Sequence, residues 1–338
     1  MHGYSLLALA AALIAAPLVA ADQGQTPVAA IAPTPLATPS PTATPGTLDP
    51  DSIALNELAR RMTVPVSVAN RGPYPFIVDT GAERSVLSTE LAATLGLDAG
   101  PRARLFDFTG PSTVDTVRVP SLTLGKLSTP GLEAPSLAQA NLGALGMLGI
   151  DALQGHKVVI DFNRKRMNLI PARRHADGDI VIRAGTKTGQ LIVTNALFEG
   201  RPISVVIDTG SSLSVGNSAM RRLMKREPRL LGPILVRSVT GRTFGANYVT
   251  VGGVKIGGVM FHNFAMSFAD VPPFEHFGLK DRPALILGMN SLQLFSKVEL
   301  DFVNREIGFT LQRGPIDFMS ACRDMSSCSV LTGKARNP

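Results

Sequence analysis

The chain has 338 residues, 45% of them apolar, enough for one large or two small domains with a real core. With 25 Pro, 32 Gly, no heptad pattern and frequent Val, Ile and Thr, it points to a turn-rich β protein and away from a helical bundle. The formal charge of +7 raises nucleic acid or an anionic membrane surface as partners, but the basic clusters Arg164-Lys165-Arg166 and Arg221-Arg222 with Lys225-Arg226 are short and far apart. They lack interleaved aromatics and read as solvated surface, so no nucleic-acid partner is expected.

The first element in chain order is Leu6–Ala21, an uninterrupted apolar run that ends in small residues ahead of Asp22. It is shorter than the about 20 residues of a spanning helix, and its end suits a signal-peptidase cut after Ala20 or Ala21. The segment before it carries no Lys or Arg, only His2 and the terminal amine, so an uncleaved anchor with transient membrane association stays open. Residues 1–21 are expected to be a signal peptide, and the protein exported to the periplasm or secreted. Residues 22–50 form a Pro/Thr/Ala tract with Thr34-Pro35, Thr38-Pro39-Ser40-Pro41 and Thr44-Pro45. Such a stretch buries no core and is expected to be an extended, solvated linker. Residues 51–175 and 176–315 are expected to form two lobes, and 316–338 a tail. Cys322 and Cys328 in that tail lack a second Cys/His pair, so no metal is expected there. A local disulfide and two free thiols are both open.

Asp51–Arg61 reads as a helical lead-in. Val64–Ala69 and Tyr74–Asp79 read as strands around the turn Asn70-Arg71-Gly72, and Ser88 or Thr89 can cap a short helix ending at Gly96. The same order returns later. Leu191–Phe198 and Ile203–Asp208 flank Glu199-Gly200-Arg201, and Ser218–Lys225 reads as the second helix.

The chain therefore contains two copies of one unit. Phe76-Ile77-Val78-Asp79-Thr80-Gly81-Ala82 matches Val205-Val206-Ile207-Asp208-Thr209-Gly210-Ser211. Ser85-Val86 and Ser214-Val215 follow at the same offset from each Asp. Leu148-Gly149-Ile150-Asp151 then matches Leu287-Gly288-Met289-Asn290, and Lys157–Phe162 matches Lys297–Phe302. Between them lie Thr109-Gly110 and Thr240-Gly241. One Asp-Thr-Gly is weak evidence of anything. Two, each ending an apolar β-branched run and each followed by the same series, are specific.

The chemistry follows from the residue types. A strand delivers an Asp into a tight turn, where Gly81 and Gly210 permit backbone angles and close approach that a side chain would block. The hydroxyls of Thr80 and Thr209 can bond across to the opposite turn. If the copies pair about a pseudo-twofold axis, Asp79 and Asp208 meet, and two carboxylates in contact share one proton. The ionised partner can then take a proton from water while the protonated one donates to the scissile carbonyl oxygen.

These two turns, each with a later apolar-apolar-Gly segment (Met147-Leu148-Gly149 and Ile286-Leu287-Gly288), resemble the aspartic peptidases. The resemblance runs from Thr63 to Leu311 and is closer to retropepsin-like peptidases, in particular fused bacterial ones, than to pepsins. It implies an all-β fold of two retropepsin-like β-barrel lobes, an endopeptidase acting on a peptide or protein substrate, and no cofactor. The catalytic pair would be Asp79 and Asp208, with Thr80, Gly81, Ala82, Thr209, Gly210 and Ser211 supporting it. Leu148, Gly149, Leu287 and Gly288 would pack behind the catalytic loops. A flap would cover the cleft, with Phe108, Thr109, Gly110, Thr240 and Gly241 as candidates. Both half-sites lie in one chain, so a monomer is expected. The first flap has Phe106 and Phe108 but not the Tyr of pepsin-like enzymes, and Asp-Thr-Gly-Ser-Ser stands in the second copy rather than the first. In the resembled family a hydroxyl at the position of Ser211 can donate to the outer oxygen of its Asp. Ala82 cannot, so Asp208 is expected to be the more acidic partner and Asp79 to hold the proton.

Other readings carry less. Asp161 and Asp301 each follow a strand and read as turn carboxylates. The five His show no zinc-peptidase spacing, and no Gly-x-Ser-x-Gly is present. A noncatalytic cell-envelope peptide-binding protein could use the same cleft, and a membrane-tethered scaffold could use chiefly the stalk.

Overall fold

A computed structural model describes residues 61–312, except 154, 173, 174 and 188. It also describes short strands at Ala8–Leu9, Ile14–Pro17, Ser52–Ala54, Asn56–Leu58 and Val330–Gly333. The remainder of the expected signal peptide, the Pro/Thr linker, and the tail with Cys322 and Cys328 lie outside the described residues.

The architecture is mainly β, with two barrel-like lobes, one a closed six-strand barrel and the other a curled half-barrel. In the first lobe Arg61–Val68 and Arg71–Val78 form a hairpin, and Gly146–Leu148 pairs in parallel with Phe76, Ile77 and Val78. Val86–Ser88 joins Gly146–Leu148 on its other side, followed by Leu127–Leu137 and Thr116–Leu124. Leu122 and Thr123 then pair back onto Val68 and Ser67, which closes the sheet. The second lobe repeats the order. Gln190–Phe198, Arg201–Ile207, Ala284–Leu287, Val215–Gly216 and Phe264–Phe268 are successive neighbours. In both lobes the strand that ends at the Asp is thus gripped between its hairpin partner and the apolar-apolar-Gly strand.

Alternation explains these strands. Val64, Val66 and Val68 are buried, while Pro65 is exposed and Ser67 is half-buried. That is the period-two pattern of a strand with one face on a core. The strands that carry the Asp residues end in runs of three buried residues, Phe76-Ile77-Val78 and Val205-Val206-Ile207. Both of their faces are covered there.

The lobes are joined by a six-stranded sheet. His156–Asp161 of the first lobe pairs antiparallel with Phe295–Asp301 of the second, Lys157 opposite Asp301 and Asp161 opposite Lys297. Glu299, buried in this sheet, bonds Lys157 and Lys297, each at 2.9 Å, and accepts the Asp177 amide. Asp161 and Asp301 serve the turns that follow their strands. Asp161 accepts the Arg164 amide, and Asp301 accepts those of Val303 and Asn304.

Several local expectations change. The first hairpin turns at Ala69-Asn70 rather than Asn70-Arg71-Gly72, with φ of 49° and 60°. The second turns at Glu199-Gly200, with φ of 51° and 76°. Positive φ at both central residues is the two-residue turn whose twist matches the flanking strands. Asp51–Arg61 is not a helical lead-in. Ser52–Ala54 pairs with Arg166–Asn168, and Asn56–Leu58 folds back on Arg61–Thr63, so strand partners override the local helical pattern. The second-copy helix spans only Ser218–Arg221, capped by Asn217, whose side chain accepts the Met220 amide. The first helix, Thr89–Leu95, is capped by Ser88 and ends at Gly96 in the left-handed conformation.

Candidate active site

The two Asp-Thr-Gly turns meet at the junction of the lobes. The Thr80 amide donates to the Thr209 hydroxyl at 3.1 Å, and the Thr209 amide donates to the Thr80 hydroxyl at 3.1 Å. Each hydroxyl in turn donates across the junction to a strand carbonyl, Thr80 to Ile207 at 3.0 Å and Thr209 to Val78 at 2.8 Å. All four bonds are buried and join residues from opposite lobes. The reciprocal pairing fixes both turns against one another, and with them the carboxyls.

Each Asp is oriented by its own loop. Asp79 Oδ1 accepts the amides of Gly81 at 2.8 Å and Ala82 at 3.0 Å. Asp208 Oδ1 accepts those of Gly210 at 2.9 Å and Ser211 at 3.0 Å. Each carboxyl lies against the glycine of the opposite turn, Asp79 against Gly210 and Asp208 against Gly81, which brings the two together at the junction. Asp79 is fully buried and Asp208 almost so. Burial and then the charge of Asp79 hold Asp208 well above the ordinary carboxylate range, against the opposing pull of the Ser211 and Gly210 amides.

The glycines are needed for close approach. A Cβ on Gly210 would lie 2.1 Å from Cγ of Asp79, and one on Gly81 would lie 2.8 Å from Cγ of Asp208. Neither adopts a left-handed φ, so of the two reasons for glycine only the close approach operates here.

The expected packing segments stand behind the loops. Leu148 and Leu287 are fully buried, and their carbonyls accept the amides of Asp79 and Asp208. A Cβ on Gly149 would meet the Arg84 carbonyl carbon at 2.5 Å, and one on Gly288 the Leu213 carbonyl oxygen at 2.3 Å.

A second repeated contact was not foreseen. The Ser85 hydroxyl donates to Asp151 and accepts the Gly149 amide, while that of Ser214 donates to Asn290 and accepts the Gly288 amide. Burial raises the Asp151 pKa, against the lowering effect of the Ser85 bonds. The repeated Ser-Val and Gly-x-Asp/Asn signals were visible in the sequence, but not that they bond to one another.

The supporting hydroxyl behaves differently from expectation. Ser211 Oγ donates to the Leu213 carbonyl at 2.6 Å, where the expectation had it donating to the outer oxygen of Asp208. With that donor turned into its own loop, burial and the neighbouring charge prevail at Asp208. The Asp208 pKa is raised, contrary to the expectation that it is the more acidic partner.

The flap candidates form two hairpin tips. Ala103–Asp107 and Gly110–Val114 turn at Phe108-Thr109, and Arg229–Arg237 and Thr243–Val251 turn at residues 238–242, which include Thr240 and Gly241. The tips meet. The Thr109 and Ser238 hydroxyls lie 3.3 Å apart, and Thr240 Oγ1 donates to Asp107 Oδ2. Gly241 faces the Asn141 side chain of the first lobe. A further contact between lobes links Glu83, next to the first catalytic loop, to His276 at 2.9 Å.

No group of three or more His, Cys, Asp or Glu able to hold a metal occurs among the described residues. No curated protein matches the chain significantly. The aspartyl protease family does match, over residues 64–152 and 194–291, one segment for each Asp-Thr-Gly turn. With both segments spanning more than half of its length, the chain belongs to the aspartyl protease family.

Proposed function

We propose that the protein is an exported aspartic endopeptidase that hydrolyses peptide bonds with water activated between Asp79 and Asp208. The observation that carries this reading is the approach of the two buried carboxyls, each against the glycine of the opposite turn and fixed by the reciprocal threonine bonds. A pair that shares one proton offers a base and an acid side by side. Asp208, with its raised pKa, keeps the proton and donates it to the scissile carbonyl oxygen. Asp79, the ionised partner, accepts a proton from the attacking water. Collapse of the resulting tetrahedral species breaks the C–N bond, with a proton passed to the leaving amine. Family membership implies a peptide substrate, and two half-sites in one chain favour a working monomer.

Export rests on the sequence alone, on the apolar run Leu6–Ala21 and the Pro/Thr tract behind it. N-terminal sequencing of the native protein tests it, with a start at Ala21 or Asp22 expected. Cleavage of a peptide library, with and without a pepstatin-like transition-state mimic, tests the activity. Tight binding of peptides with no turnover would favour a noncatalytic peptide-binding protein.

A further inference from the structure

Each flap tip crosses to the opposite lobe. Phe108, at the tip of the first-lobe flap and 3% exposed, belongs to an apolar cluster otherwise made of second-lobe residues, among them Val206, Val215, Phe274, Phe277 and Ile286. Val239, at the tip of the second-lobe flap and fully buried, belongs to a first-lobe cluster with Ile77, Val86, Leu137, Leu142 and Met147. Ile77 and Val206 each precede a candidate catalytic Asp by two positions, so they share its face of the strand. Ile77 pairs with Met147, and Val206 with Ile286. The tips therefore fill apolar hollows beside both carboxyls.

What holds them there is polar. Asp107, fully buried just before the first tip, accepts four hydrogen bonds. Two come from Thr109 of its own flap, its amide at 2.7 Å and its hydroxyl at 2.6 Å. The other two come from the opposite flap, the Thr240 hydroxyl and Arg242 Nη2 at 3.3 Å. Arg242 Nη2 also donates to the Gly110 carbonyl and to Ser112 Oγ, each at 2.8 Å. A buried carboxylate is stable only when paired and hydrogen-bonded. Separating the flaps would strip Asp107 of both partners from the second flap at once.

We propose that Asp107, Thr240 and Arg242 are positioning residues that latch the two flaps together, so that the resting enzyme is self-occluded, with Phe108 and Val239 filling hollows that a substrate must clear. Occlusion as regulation of this site rests on the peptidase reading; the latch does not. If only the unlatched fraction admits substrate, apparent affinity is reduced by that fraction. Weakening the latch therefore lowers KM and leaves kcat nearly unchanged.

The chain has no Trp, so Phe108→Trp provides a single fluorescent reporter at the plug. In the otherwise native chain its emission should be blue-shifted and protected from iodide. Adding Arg242→Gln should shift it to the red and raise quenching several-fold, and Arg242→Lys should restore part of the protection. Unchanged emission and quenching in Arg242→Gln would overturn the latch. A second test avoids the bulk of Trp. With Cys322 and Cys328 changed to Ser, Thr109→Cys and Ser238→Cys, whose hydroxyls lie 3.3 Å apart, should form a disulfide in air. Adding Arg242→Gln should slow its formation; an equal rate would again overturn the latch. In wild-type flaps, Arg242→Gln should lower KM for a cleaved peptide. Fluorescence that responds while no variant cleaves any peptide would sink the peptidase reading and leave the latch standing. Cleavage with no response would do the reverse.

Discussion

Gly210 lies against the carboxyl of Asp79, so closely that a methyl group there would sit 2.1 Å from Cγ. The neighbour it would strike is a catalytic candidate of the other lobe, and Gly81 stands in the same relation to Asp208. Gly210→Ala and Gly81→Ala should each push the opposite carboxyl out of line. Inserting a methyl into a packed site typically costs about 1–3 kcal/mol, so both variants should fold. Activity should fall far more than stability, because the displaced atoms are the reacting ones. Peptidase assays beside urea unfolding compare the two losses. A Gly210→Ala protein with near-normal turnover would show that the carboxyls need not meet as they do here.

The threonine lock gives a second expectation. Thr80→Val removes a hydroxyl that accepts the Thr209 amide and donates to the Ile207 carbonyl. It leaves two buried polar groups unpaired, each at about 1–3 kcal/mol. Thr209→Val does the same to the Thr80 amide and the Val78 carbonyl. Each should destabilise the chain by several kcal/mol, while Thr80→Ser keeps most of the stability. The double Val variant should lose less than the sum of the singles, since the two hydroxyls lie 3.4 Å apart in one network and each variant loosens the same junction. Additive losses in urea unfolding would mean that the two turns are held independently.

Much of this site was legible because it is local and repeated. The two Asp-Thr-Gly turns, the later Gly149 and Gly288, and the hairpins before each Asp all follow from short patterns that occur twice. What stayed hidden depends on contacts between lobes. Arg242 reaches Asp107 across 135 positions, and His276 reaches Glu83 across 193, with no spacing rule to connect them. Ser211 shows the same limit at short range. Its identity suggested a donor to Asp208, but the Leu213 carbonyl two residues on captures the hydroxyl. Asp51–Arg61 was misread because Ser52–Ala54 pairs with Arg166–Asn168, far outside the window that local propensity covers, while Asn56–Leu58 folds back on Arg61–Thr63.

Replacing the carboxyls separates their roles. Asp79→Asn and Asp208→Asn should each remove nearly all turnover with the fold retained, since amides can keep much of the loop bonding. Residues that act as one unit are far from additive, so the double variant should be scarcely worse than either single. Single-turnover assays on purified variants read this directly. Substantial activity in one single variant, with contamination excluded, would remove the shared-proton mechanism.

Stability against pH tests the charge assignment without any substrate. The folded pKa of Asp208 is raised by burial and by Asp79, whereas in the unfolded chain an Asp titrates near about 3.9. A group of this kind stabilises the fold fully below its unfolded pKa, and that contribution is lost as pH rises through the folded value. Asp208→Asn is neutral at every pH. It should therefore unfold at about the wild-type temperature in acid and at a higher temperature near neutrality. Glu299 has the opposite sign. Burial pushes it upward, but the Asp177 amide, Lys297 and Lys157 together outweigh that and lower its pKa. Its contribution is present above the unfolded value of about 4.3 and is lost as pH falls through the folded one. Glu299→Gln breaks a buried pair, a change that costs about 3–5 kcal/mol, so it should be much less stable than wild type at neutral pH. That deficit should shrink in acid. Thermal unfolding of the three proteins across a pH series should thus give gaps of opposite sign that both narrow as pH falls. A neutral-pH deficit in Asp208→Asn that closes in acid would mean that Asp208 is held ionised, and the acid and base roles of the pair would have to be exchanged.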